Sequence, residues 1–190
     1  MRLNEAIADN ETQADGASRL MDFLDEQHMS RLYEKFILEY FRREHPGLNA
    51  GSPYIAWNLD GGFDDMLPAM HTDITLTQGG SVLIIDAKYY SHTTQQQFDK
   101  RSVHSGNLYQ IFTYVKNKEA ELTRAGVSHE VSGMLLYAKT EEEIQPDGVY
   151  LMSGNQISVK TLALDKPFED IQRQLDGIAA EHFNQEAIIE

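Results

Sequence analysis

Residues 81–90, Ser-Val-Leu-Ile-Ile-Asp-Ala-Lys-Tyr-Tyr, join a continuous apolar run to an acid and a base one residue apart. As a strand, such a run is buried on both faces, so it demands a sheet interior with other elements packed above and below it. Side chains alternate across a strand, which puts Asp86 and Lys88 on one face. Two charges at the end of a buried strand are costly unless they pair, bind a metal or reach solvent. That end is therefore the first candidate for a functional site.

The rest of the chain supplies elements to build around that strand. Residues 4–28 are polar and helix-compatible, with Ile7, Leu20, Phe23 and Leu24 as sparse apolar points, and read as a helical lead-in over residues 1–28. Ser30 then reads as an N-cap, and Leu32, Tyr33, Phe36, Ile37, Tyr40 and Phe41 recur at helical spacing until His45-Pro46-Gly47 ends the run. Residues 53–59 predict a short strand followed by a Gly- and Asp-rich loop. Residues 72–77 alternate polar and apolar, and Gln78-Gly79-Gly80 provides a turn, so this segment and the apolar run form a hairpin. Residues 91–102 read as a polar loop. Leu108, Ile111, Phe112 and Val115 then define a helix to about Arg124, closed by Gly126. Residues 131–137 predict a second buried strand, residues 149–152 and 157–164 short strands, and residues 167–183 a closing helix. The order predicts an α/β fold, a mixed sheet flanked by helices, with residues 29–190 as one globular domain after the lead-in.

The 190 residues allow one complete core. No apolar stretch approaches the roughly 18 residues of a membrane span, and the first residues lack the apolar segment of a signal peptide. With no cysteine there is no disulfide framework, no thiolate nucleophile and no Cys-ligated zinc, so a cytoplasmic protein is expected. The net charge of −14 argues against binding nucleic acid by bulk charge. The acid excess is concentrated at the ends: residues 1–28 and 165–190 each hold seven acids and two bases. Residues 87–118 reverse the sign, with Lys88, Lys100, Arg101, Lys116 and Lys118 against Asp99 alone, and add His92 and His104. Signatures of nucleotide hydrolysis, dinucleotide binding, HExxH metalloproteases and GxSxG hydrolases are absent.

A third charged group belongs with Asp86 and Lys88. Asp73 lies on the other arm of the hairpin, where cross-strand neighbours approach to about 5 Å. Two carboxylates with open positions left for water and a phosphate suit Mg²⁺, with Mn²⁺ able to substitute, and Lys88 then faces the attacking water. Asp73 and, thirteen positions further on, Asp86-Ala87-Lys88 at the end of a hydrophobic strand resemble the PD-(D/E)xK nuclease superfamily. MSRLYEKFILEYFRREHP (29–46), HTDITL (71–76), LIIDAKYY (83–90) and NLYQIFTYV (107–115) are together similar to the nuclease domain of the McrC family, the cleavage subunits of McrBC-type modification-dependent restriction systems. The resemblance covers about residues 25–140.

The resemblance implies a restriction-endonuclease-like fold, DNA as substrate, and an AAA-type GTPase motor subunit of the McrB kind as partner. It also implies Glu34 as an auxiliary metal ligand from the helix before the sheet. Gln110 and Tyr114 match a Q-x-x-x-Y signature that borders the site and the DNA backbone in related nucleases, and Lys100 and Arg101 join them as candidate DNA contacts. His71 is left outside the site, and so are Asp64-Asp65 and the run Glu141 to Glu143. Thr72 stands where the motif usually has proline, and Ala87 where this family often has threonine; neither removes a ligand. McrC subunits carry further sequence ahead of the nuclease domain, so the chain is expected to be a fragment, a truncated product or a stand-alone relative. The rival expectations are a non-catalytic nuclease-fold scaffold or motor-stimulating subunit, and a PD-(D/E)xK nuclease of a repair branch.

Overall fold

The computed structural model describes the backbone of residues 3–63, 65–90, 94–97 and 100–183, and the side chains of residues 24–63, 65–90 and 103–183. The chain opens with α1 (Leu3–Glu44), one helix through the position where a break was expected. Ser30 does not cap it: its hydroxyl donates to Glu34 Oε1 at 3.2 Å, a bond to the side chain four residues on. No proline interrupts residues 3–45, so the ladder runs on until His45-Pro46, with Arg42 and Arg43 in the last turn, where basic residues suit the helix dipole. Tyr33, Ile37, Tyr40 and Phe41 form its buried stripe.

β1 (Tyr54–Ile55) is shorter than the strand expected over residues 53–59 and pairs antiparallel with β2 (Met70–His71). The strand expected over residues 72–77 starts later, as β3 (Ile74–Gln78), because Thr72 turns aside. The Thr72 N–H and hydroxyl both donate to Pro53 O at 3.1 Å. A proline at this position has no N–H for the first of these bonds.

β3 pairs antiparallel with β4 (Ser81–Lys88), the apolar run itself. Where a polar loop was expected, β5 (Thr94–Gln97) and β6 (Lys100–Val103) pair as an antiparallel hairpin. α2 (Ser105–Arg124) follows, then β7 (Glu130–Ala138), which pairs parallel with β4. β8 (Gly148–Met152) and β9 (Asn155–Leu162) form a hairpin around Ser153 and Gly154, both at positive φ, as a two-residue turn of this kind requires. α3 (Phe168–Phe183) closes the described chain.

The main sheet has the order β3-β4-β7-β9-β8: parallel in its centre, antiparallel at both edges. Alternation along β4 divides the core in two. Leu83, Ile85 and Ala87 pack with α1 and α3 on one face, while Val82 and Ile84 pack with α2 on the other. This is the helix-flanked mixed sheet of the restriction-endonuclease-like class, and its arrangement puts the C-terminal end of β4 beneath α2. Gly133 of β7 lets α2 come down onto the sheet: a Cβ there would lie 2.8 Å from Val115 Cγ2 and 2.9 Å from Ile111 Cγ1. Among the described residues no helix is long and apolar enough to cross a membrane.

Candidate active site

Asp86 and Lys88 follow the parity of Val82 and Ile84, so both face α2 at the end of β4. Lys88 Nζ stands 2.9 Å from Asp86 Oδ2, and the two side chains are 14% and 3% exposed. Despite that ion pair, Asp86 Oδ2 receives no hydrogen bond of acceptable geometry among the described residues. The β3–β4 ladder ends at Ile74 opposite Ile85, and just before it Asp73 replaces main-chain pairing with a side chain. Its Oδ2 accepts the Ala87 N–H at 2.8 Å, which fixes the carboxylate beside the Asp86-Ala87-Lys88 segment.

From α2, Gln110 Oε1 accepts a hydrogen bond from Lys88 Nζ at 3.4 Å, and Gln110 Nε2 donates to the Tyr114 hydroxyl at 3.0 Å. The side chain four residues on thus orients the amide that holds the lysine. Glu34 enters from α1, its carboxylate steadied by Ser30.

The electrostatics are those of a buried acidic site short of positive charge. Burial, reinforced by Asp73 and opposed by Lys88, pushes the Asp86 carboxyl up to about 7. Burial likewise holds Asp73 above its ordinary range, against the pull of the Ala87 N–H and Lys88. Glu34 is raised by burial and then by the charge of Asp73. Lys88 is desolvated, which would lower its pKa, yet Asp86 and Asp73 outweigh that and raise it. One ammonium therefore serves three carboxyls, all of which resist ionising. A hard divalent cation fits such a place: the donors are carboxylate oxygens, and one of them is buried without a hydrogen bond. Among the described residues no three acidic, histidine or cysteine side chains group closely enough to hold a metal ion by themselves. The donor set is partial, as for a cation that keeps water and substrate among its ligands.

Glu34, Asp73, Asp86, Lys88, Gln110 and Tyr114 are thus linked by contacts or electrostatic coupling. Lys100 and Arg101 lie in β6, but their side chains, like His92 and Asp64, lie outside the described residues. His71 is occupied by Ser52, whose hydroxyl is 3.1 Å from Nε2, and its ring stacks on Tyr54 at 4.5 Å. Sequence reasoning missed Ser30, Tyr90, Asn107 and Tyr137, which surround the site. Asn107 carried a signal: it precedes Gln110 by three and Tyr114 by seven residues, on the same helical stripe.

A sequence model of the family described as "McrBC 5-methylcytosine restriction system component" matches residues 7–138. The chain belongs to that family. The match spans the residues from Glu34 to Tyr114 just described. The chain is also 31% identical over 174 residues to the Type IV methyl-directed restriction enzyme EcoKMcrBC of Escherichia coli (strain K12). That alignment takes in 90% of this chain and 48% of the relative, so the chain spans about half the length of the McrBC-family protein it matches.

Proposed function

We propose that this chain is a Mg²⁺-dependent DNA endonuclease, the PD-(D/E)xK cleavage part of an McrC-like subunit. The observation that carries the reading is the Asp86–Lys88 pair at the buried end of β4 with Asp73 bonded to the residue between them. Asp73 and Asp86 hold the cation, with Glu34 as auxiliary ligand and Mn²⁺ able to replace Mg²⁺. The bound cation supplies charge neutralisation at the scissile phosphate and makes the attacking water more acidic. Lys88 has three N–H donors; Gln110 accepts from one, Asp86 stands at ion-pair distance, and the ammonium is placed to orient water or meet charge growing on the phosphate. Gln110 and Tyr114 keep that ammonium in place, and the stretch with Lys100 and Arg101 offers charge to the DNA backbone.

The partner in this reading is an AAA-type GTPase of the McrB kind, which holds and selects the DNA. The test is cleavage of plasmid DNA with Mg²⁺ or Mn²⁺, by the chain alone and with that motor subunit. Nicking that depends on the metal and is lost in Lys88→Ala and Asp86→Ala is the expected result. A folded chain that neither cleaves nor binds metal under any of these conditions would instead be a nuclease-fold scaffold. Cleavage indifferent to the motor and directed at single-stranded or nicked DNA would move the chain to a repair branch.

A further inference from the structure

α2 turns a polar stripe toward β4: Asn107, Gln110 and Tyr114, spaced three and four residues apart. Asn107 is only 9% exposed, and a buried amide is costly unless bonded. Its Nδ2 donates to the Tyr137 hydroxyl at 3.0 Å, and its Oδ1 accepts from the Tyr90 hydroxyl at 3.4 Å. These phenols flank Lys88 from two directions. Tyr137, fully buried, is the residue paired with Lys88 in the β4–β7 register, and Tyr90 lies two residues beyond Lys88 in the chain. The buried serines of the sheet satisfy main-chain carbonyls: Ser132 bonds Val82 O and Ser158 bonds Gly133 O. Asn107 instead bridges two side chains. It does so where support is thinnest, because β4 has lost its β3 partner after Ile85 and ends at Lys88.

We infer that Asn107 is a positioning residue for the Lys88 ammonium, clamping the end of β4 through Tyr90 and its cross-strand neighbour through Tyr137. The inference rests on the nuclease reading for its consequence in catalysis, but the position of the ammonium can be observed without it. With the clamp gone, the strand end shifts, and the lysine loses alignment while DNA contacts elsewhere persist.

The experiment compares the full chain with Asn107→Leu, which keeps the branched shape and loses both bonds, and Asn107→Asp, whose carboxylate can accept from both phenols. Two readouts are taken: kcat and KM on plasmid DNA at saturating Mg²⁺, and the ¹H–¹⁵N resonance of the Lys88 ammonium, assigned by its loss in Lys88→Ala. The Leu variant is expected to lose roughly tenfold or more in kcat with KM changed less than about threefold, since small misplacements of a reacting group carry penalties of that order. Its ammonium resonance moves. The Asp variant recovers most of the kcat and the wild-type resonance. Equal kcat in the wild type and the Leu variant, equal losses in the Leu and Asp variants, or an ammonium resonance that does not move would each overturn the inference. If the Leu variant does not fold, Tyr90→Phe decides: it removes one hydroxyl, and an unchanged resonance in it sinks the idea. A wild-type chain that never cleaves DNA would refute the nuclease reading alone, because the resonance still reports on the clamp.

Discussion

Asp86 combines two demands that conflict in the absence of a cation. It is buried at the end of β4, and the proposed role as a metal ligand requires it to be ionised. Its folded-state pKa of about 7 lies above the ordinary carboxylate value, so the folded chain holds a proton here more tightly than the unfolded chain does. The stability contributed by that proton is fully present below the unfolded value, near pH 4, and is lost as pH rises through about 7. Without metal, thermal melting of the wild type should therefore fall between pH 5 and pH 8 relative to Asp86→Asn, whose amide does not titrate. Adding Mg²⁺ at pH 8 should raise the wild type and leave the variant nearly unmoved, because the cation takes the proton's place. Parallel melting curves for the two proteins, with and without Mg²⁺, would remove Asp86 from the metal site.

At the scale of elements, the site depends on how closely α2 approaches the sheet, and Gly133 sets that distance. Gly133→Val would thrust atoms against Val115, Ile111 and Ile157, all within 3.0 Å of the first added carbon. Overpacking of this sort destabilises by about 1–3 kcal/mol, measurable as a lower denaturation midpoint. The strain is also expected to lift Gln110 from Lys88, so cleavage should fall further than the unfolded fraction explains. A variant that loses stability but cleaves normally per folded molecule would show that α2 does not hold the lysine. The same elements explain what could be read from the sequence. β4 and β7 were legible because runs such as Val82–Ile85 leave no polar face, and α2 and α3 because their apolar residues keep a helical period. The β5–β6 hairpin was not, since Thr94–Gln97 has no apolar alternation to mark it as a strand. Ser30 misled because a serine before an apolar stripe looks like a cap, while its hydroxyl is used by Glu34 one turn on. Asp73 and Asp86-Ala87-Lys88 were legible as a motif. The contact that joins them, from the Ala87 N–H to Asp73, depends on a strand that starts one residue after Asp73, which pattern reading placed too early.

Across the whole molecule, the charge opposes the proposed substrate. A chain of net −14 repels a polyanion, and along the sequence the excess acids gather in the first 28 and last 26 residues. The stretch from residue 87 to 118 has five bases against one acid, so contact with the proposed DNA substrate would be local. Counterion release gives this a number. Each phosphate neutralised on duplex DNA contributes about −0.9 to the slope of log K against log salt, so five bases support a slope no steeper than about −4.5. Duplex binding by the isolated chain, followed by fluorescence anisotropy from about 50 to 200 mM salt, should weaken within that limit and be poor at the upper end. An additional subunit that grips DNA should restore binding without a change in the chain's own site. A tight complex of the isolated chain that ignores salt would mean that contacts other than phosphate neutralisation hold the DNA. A motor partner would then not be needed to bring the substrate to Asp86 and Lys88.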